Sequence, residues 1–251
     1  MFKLDGRTAL VTGAATGIGQ GIAVALAAQG ATVIISDMPG VPLKESSDMI
    51  ASQSGRAAYE IGMDVRDPRQ IEEGAAQALK HFRHVDILVN NAGINRPAAA
   101  LDVSLENWED HYHTNVRGGF LLAQKLAPRM IETGWGRVIF LSSQSGLVGI
   151  PGQPVYCSTK GAVIQLVRTL GVEWAKHGIT VNSVAPTFVE TNLTRERLQQ
   201  PEFRSFVLNK IPVGKLAGVH HVAAAAAFLA SDEAAMVNCH TLCVDGGWTA
   251  W

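Results

Sequence analysis

Short apolar strand-like runs alternate with helical periods along the whole chain, and this alternation constrains its fold more than any other feature. The strand-like runs fall at 9–11, 32–36, 57–61, 87–89, 138–141, 180–184 and 242–244. Helical stretches, amphipathic or rich in alanine, lie at 18–29, 68–82, 108–131 and 155–176. Strands spaced by helices predict a parallel sheet covered on both faces, since a parallel crossover needs about the length of a helix. A chain of 251 residues can bury a sizeable core. No linker, repeat or low-complexity segment divides it, so one domain over 1–251 is expected. Residues 38–42 read as a surface turn. The polar segment 187–210, broken by Pro201, is the candidate substrate lid.

The first strand runs into VTGAATGIGQGIAVALAAQG. Gly13, Gly17 and Gly19 fall in the strand-to-helix turn, where a side chain would block a phosphate and the helix N-terminus offers unpaired N–H groups. The spacing is G-x-x-x-G-x-G rather than G-x-G-x-x-G, and a tight turn alone would also use glycines. The second strand ends at Asp37, 18 residues beyond Gly19 (37 minus 19), where a carboxylate can accept hydrogen bonds from both hydroxyls of an adenosine ribose. Asp64, after the third strand, is placed for the adenine edge, and Asp67 before Pro68 is the better helix cap.

Tyr156 and Lys160 stand four apart at a helix start and so share a face. An ordinary surface pair would look the same. The chemical reading is a phenol whose pKa a neighbouring ammonium lowers toward neutrality, ready for proton transfer.

Composition narrows the partners. Lys+Arg 21 against Asp+Glu 22 leaves a formal net charge of -1, with no basic stripe for nucleic acid or an anionic membrane. No apolar run reaches a membrane span, and the N-terminus enters a strand-like run without a signal-peptide layout. Three cysteines, Cys157, Cys239 and Cys243, suit a reducing cytoplasm rather than a disulfide framework. His240 between the last two, with His220 and His221 upstream, lacks a CxxC pair, so no metal is expected. His111–His113 read as helix surface.

Taken together, TGAATGIG (12–19), Asp37, DV (64–65), NNAG (90–93), Asn115, SSQSG (142–146), YCSTK (156–160), VNSVAP (181–186) and VDGG (244–247) resemble the short-chain dehydrogenase/reductase family over essentially the whole chain. The resemblance implies a Rossmann-like, doubly wound α/β sheet of seven parallel strands and NAD(P)-dependent redox chemistry at a carbinol or carbonyl carbon. It also implies a tetrad of Asn115, Ser143, Tyr156 and Lys160, the serine lying thirteen residues before the tyrosine (156 minus 13). By the same resemblance Asn115 holds a water linking Lys160 to solvent. Dinucleotide contacts are implied at Thr16, Ile18 and the three turn glycines, at Asp37 and Met38, and at Asp64 and Val65. Further contacts fall on Asn91, Ala92 and Gly93, on Tyr156 and Lys160, and on Pro186, Val189 and Thr191. One departure is visible, Thr187 where the family often has glycine after Pro186, which puts the local loop geometry in question.

Asp37 favours NAD over NADP, whose 2′-phosphate would meet a carboxylate. Asn95, Gln144, Ser145 and Gln153, beside Ser143 and Tyr156, form an uncharged wall of donors and acceptors suited to a polyhydroxylated ligand. The stretches at 173–191 and 211–218 resemble bacterial sugar, sugar-acid and polyol dehydrogenases of the family. The expected function is therefore an NAD-dependent dehydrogenase of such a secondary alcohol. A ketone or 3-oxoacyl-thioester reductase is the alternative, and a non-catalytic dinucleotide sensor a remote one. Trp248 and Trp251, near the free end, are expected to be covered by another subunit of a homotetramer.

Overall fold

A computed structural model describes residues 1–192 and 194–250. Its strands are β1 (Thr8–Thr12), β2 (Thr32–Asp37), β3 (Tyr59–Gly62), β4 (Ile87–Asn90), β5 (Gly136–Leu141), β6 (Ile179–Pro186) and β7 (Thr241–Val244). They form one seven-stranded sheet in the order β3-β2-β1-β4-β5-β6-β7, and every pairing is parallel. The run expected at 57–61 starts later because its ladder with β2 opens at Ile34 opposite Tyr59. The helices are α1 (Gly17–Ala28), α2 (Lys44–Ser54), α3 (Pro68–Phe82), α4 (Leu105–Tyr112) and α5 (Gly118–Thr133). They continue as α6 (Pro154–Trp174), α7 (Arg195–Leu198), α8 (Pro201–Lys210) and α9 (Val219–Ala230).

The inner strands are largely apolar because both their faces are buried, whereas the edge strands β3 and β7 are partly exposed. Ala9, Val11, Val33, Ile35, Val89 and Ile139 pack on one side with Ile22 and Leu26 of α1 and Val222 and Ala226 of α9. Their neighbours Leu10, Ile34, Leu88, Val138 and Phe140 face the other side, with Ile71 of α3, Leu122 of α5 and Val163 of α6. The alternation follows the two-residue period of a strand.

Two differences from the periodic reading bear on function. The helix expected over 108–131 starts earlier, at Leu105 behind a Ser104 cap, and is interrupted by a π turn at His113–Arg117. Such turns are rare, and they concentrate at functional positions. Here the turn carries Asn115. Immediately after it, Gly118 lets the helix approach β3's loop so closely that an added Cβ would sit 2.3 Å from the Val65 carbonyl oxygen. Pro201, expected to break the polar segment, instead opens α8 at its first turn, where a missing N–H costs nothing.

Trp248 corrects the expectation for the C-terminus. It is only 5% exposed and packs in a third cluster with Ile150, Leu198, Val207 and Ile211. Phe188 and Phe206 of the same chain flank its ring, at 5.8 and 6.2 Å between centroids. Phenylalanines from the candidate lid cover it, so no second subunit is needed there. Trp251 lies outside the described residues.

β1 lies between β2 and β4, so the winding of the chain reverses there. A doubly wound sheet opens its ligand crevice beyond the C-terminal ends of the strands at such a point.

Candidate active site

A cleft of about 460 Å³ lies at that reversal point. It gathers every residue singled out in the sequence for the cofactor, the substrate or the chemistry, except Gly19 and Asn115. Gly19 sits behind the wall: an added Cβ would lie 2.2 Å from the Gly13 carbonyl oxygen, so glycine there lets the helix close on the turn. Gly13 has φ +62°, and a Cβ on it would come within 2.9 Å of Ala92 Cα. Thr16 precedes α1 without any side-chain cap, which leaves the first-turn N–H groups facing the cleft region with a positive dipole end. Asn91 Nδ2 donates to the carbonyls of Thr12 and Gly13, both at 2.9 Å, tying the end of β4 to this turn. The cradle fits a pyrophosphate.

At the outer end, Asp37 Oδ2 accepts from the Ala15 N–H at 3.0 Å and Oδ1 from the Met38 N–H at 2.9 Å. These bonds hold the carboxylate at the mouth of the glycine turn. Asp64 is less free than the sequence suggested. Arg66 grips it through Nε and Nη2, the latter at 2.7 Å, and holds its carboxyl below the usual range. Arg66 itself lines the cleft, a residue the motifs did not single out although it stands two places beyond Asp64. The N-cap of α3 falls to Asp67, whose side chain accepts from the Arg69 N–H.

Asn115 braces the cleft from behind. Its Oδ1 accepts from the Ile94 N–H at 2.8 Å, while Nδ2 donates to the Ile94 carbonyl at 3.0 Å and to Thr159 Oγ1 at 3.1 Å. The loop after β4 is held again by His111, which is fully buried rather than on the helix surface as expected. His111 Nε2 accepts from the Arg96 N–H at 3.1 Å and Nδ1 donates to the Asn107 carbonyl at 2.7 Å. Burial lowers its pKa, in keeping with a neutral ring holding one proton.

Ser143 caps the short turn at Gln144–Gly146 that follows β5, its Oγ accepting from the Ser145 N–H at 3.1 Å, and its hydroxyl acts on the Tyr156 phenol. Lys160, one turn beyond Tyr156 on α6, donates from Nζ to the Leu141 carbonyl at 2.7 Å. Its Nζ lies 5.6 Å from the centre of the tyrosine ring. The expectation of a lowered phenol pKa is corrected for the protein without cofactor. Burial pushes the phenol up to about 12, the Ser143 bond opposing it, and pushes Lys160 down to about 8. The Tyr156 ring remains partly accessible through the cleft, so solvent there moderates the upward push.

The buried ammonium makes a testable demand. Between its folded value near 8 and its ordinary 10.5, the unfolded chain holds a proton that the folded chain has released. Stability must rise with pH across that window. We expect the stability of wild type relative to Lys160→Met, without cofactor, to increase by about 2 kcal/mol from pH 7 to pH 10. Urea denaturation at each pH checks this, and a flat difference would remove the buried ammonium.

Thr187 resolves the question its identity raised. Its φ is not positive, its N–H donates to the Val244 carbonyl at 3.1 Å, and no glycine is required. Its side chain is buried in the cleft wall, an assignment the sequence did not make.

The profile described as Enoyl-(Acyl carrier protein) reductase matches residues 13–249. The D-threitol dehydrogenase of Mycolicibacterium smegmatis is 39% identical over 252 residues, covering 99% of this chain and 95% of that one. The 3-oxoacyl-(acyl-carrier-protein) reductase of Escherichia coli is 40% identical over 98% of each. A gluconate 5-dehydrogenase from Burkholderia cenocepacia, crystallised with NADP and tartrate, superposes with a TM-score of 0.93 at 35% identity, covering 100% of this chain and 98% of that one. The chain belongs to the short-chain dehydrogenase/reductase family. It is an oxidoreductase that uses a pyridine nucleotide, with sugar and polyol dehydrogenases among its relatives.

Proposed function

We propose that the chain is an NAD-dependent dehydrogenase acting on a secondary alcohol of a sugar, sugar alcohol or sugar acid. One observation carries this reading: Ser143, Tyr156 and Lys160 share one cleft with the glycine turn and Asp37. Bound NAD supplies the hydride acceptor. Tyr156 takes the alcohol proton, Ser143 orients the substrate oxygen and stabilises its developing charge, and Asn115 positions the loop beside Lys160. Residues 187–210 act as the lid over the substrate.

Magnitudes divide the work on Tyr156. Bringing a phenol from about 12 to about 7 takes roughly 7 kcal/mol of preferential stabilisation of its anion. A unit charge at about the separation of Lys160 supplies roughly 3 kcal/mol at an effective dielectric near 20. The lysine cannot do it alone. The influence of Ser143 is already contained in the value of about 12, so the positive charge of the oxidised cofactor must account for the rest.

A 3-oxoacyl-thioester reductase is the second reading, favoured by the 40% identity to the Escherichia coli enzyme. Asp37 and the near-neutral charge weigh against it, since such reductases commonly use NADPH and dock an acidic carrier. An absorbance assay at the NADH band separates the two. NAD reduction with polyols, aldoses or aldonates is expected, and turnover confined to acyl-thioester ketones would overturn the proposal.

We also propose a cytoplasmic homotetramer. Three free cysteines fit a reducing compartment, and no described helix is long and apolar enough to cross a membrane. Leu101 and Leu105, 98% and 72% exposed, lie near Trp108, itself partly exposed, and leave apolar surface for a second copy. Light scattering at micromolar concentration is expected to give a tetramer, and a monodisperse monomer would end this proposal.

A further inference from the structure

Among the described residues, five buried polar atoms on the cleft wall have no hydrogen-bond partner: Gln144 Oε1, Gln153 Nε2, Thr187 Oγ1, Asn95 Oδ1 and Thr114 Oγ1. Gln144 and Gln153 are only 1% and 2% exposed. Their backbones are already committed. The Gln144 carbonyl accepts from the N–H groups of Leu147 and Val148, and Gln153 donates to the Ile150 carbonyl and accepts from Cys157. Local structure therefore fixes the two side chains in place without using their amide ends. Unpaired buried polar groups destabilise a fold until something pairs them, and most in native proteins are paired. Here the cleft leaves room for a ligand to pair them.

The charges on the same wall limit what that ligand is. Among the described residues the cations lining the cleft are Arg66, Arg96 and Lys160. Arg66 is held by Asp64, Arg96 by Asp110, and Lys160 by the Leu141 carbonyl. Arg197 has an unpaired buried nitrogen, but it is not on this wall and lies over the Phe203 ring, 4.0 Å from its centroid. Two of the five unpaired atoms, those of Gln144 and Asn95, are carbonyl oxygens, which attract hydroxyl donors and repel a carboxylate. A hydroxyl both donates and accepts, so neighbouring hydroxyls of one molecule can satisfy amide oxygen and amide nitrogen alike.

Resting on the dehydrogenase reading above, we infer that Gln144 and Gln153, assisted by Asn95 and Thr187, read the hydroxyls flanking the reacting carbinol of an uncharged polyol. The cleft thus favours a neutral sugar alcohol over the aldonate of the same carbon number. The reaction oxidises one carbinol of the polyol to a ketone, its hydride reducing NAD to NADH and its hydroxyl proton leaving through Tyr156.

The test measures kcat/KM with NAD for tetritols and pentitols, for aldonates of the same length and for 2-butanol. Wild type is expected to favour the best polyol over the matching aldonate by at least about 10-fold. Equal or greater turnover of the aldonate overturns the inference while leaving the dehydrogenase reading intact. Turnover of none of these alcohols overturns both. Gln144→Met and Gln153→Met, checked for folding by NADH binding, are expected to lose about 10-fold more kcat/KM for the polyol than for 2-butanol, chiefly through KM. Equal losses on both substrates would also overturn the inference, and if a variant fails to bind NADH the wild-type ratio decides alone.

Discussion

Replacing Tyr156 by phenylalanine is expected to lower kcat by about 10²–10⁴-fold, the usual worth of a positioned general acid or base, while NADH still binds. The substitution removes one oxygen and keeps the ring. The ring stays packed on α6, and the lysine still has the Leu141 carbonyl at 2.7 Å. Lys160→Ala is expected to damage both turnover and cofactor binding, because it removes the charge that helps the phenol ionise and a contact assigned to the nicotinamide ribose. Steady-state kinetics with the best alcohol, beside NADH fluorescence titration, separates the two variants. If Tyr156→Phe kept more than about a tenth of the wild-type kcat, proton transfer would have to be assigned elsewhere. The direction of its shift strengthens the demand. In the protein without cofactor burial pushes the phenol up to about 12, so the ionised form depends on what binds beside it.

That direction illustrates what the sequence could and could not convey. The i, i+4 spacing of Tyr156 and Lys160 places them on one face from helix geometry alone. Which influence governs the phenol is another matter, since it depends on how much protein closes around it. Glycines 13, 17 and 19 were legible for a steric reason, and the structure supplies the atoms they avoid: Ala92 Cα against Gly13 and the Gly13 carbonyl against Gly19. The inner strands were legible because their runs are largely apolar on both faces, and the partly exposed edge strands β3 and β7 through their place in the strand-helix alternation. The π turn under Asn115 was not, because the flanking residues keep a helical period through it. Nor was the cover of Trp248, whose partners Phe188 and Phe206 stand some distance away in the sequence and meet it only when the lid segment folds back. Arg66 was missed although it neighbours Asp64, since a two-residue spacing in a loop fixes no direction for either side chain.

Cofactor choice gives the second large effect. Wild type is expected to favour NAD over NADP in kcat/KM by on the order of 10²-fold or more. Asp37 ends β2, and its carboxylate is fixed by the N–H groups of Ala15 and Met38, so it cannot easily swing aside for a 2′-phosphate. Two like charges about 4 Å apart repel by roughly 4 kcal/mol at an effective dielectric near 20, a figure that exposure and salt reduce. Even half of it exceeds a tenfold preference, at about 1.4 kcal/mol per factor of ten. No nearby cation offsets it: Thr16 and Met38 occupy the places where arginine or lysine would receive the phosphate, and Arg66 is committed to Asp64. The Burkholderia cenocepacia relative crystallised with NADP makes this a discriminating measurement rather than a formality. Asp37→Ala is expected to narrow the gap, chiefly by raising the KM for NAD as the ribose loses its acceptor, and to admit NADP. Both cofactors measured on wild type with one good substrate decide the matter, and activity with NADP equal to or above that with NAD would overturn the role given to Asp37.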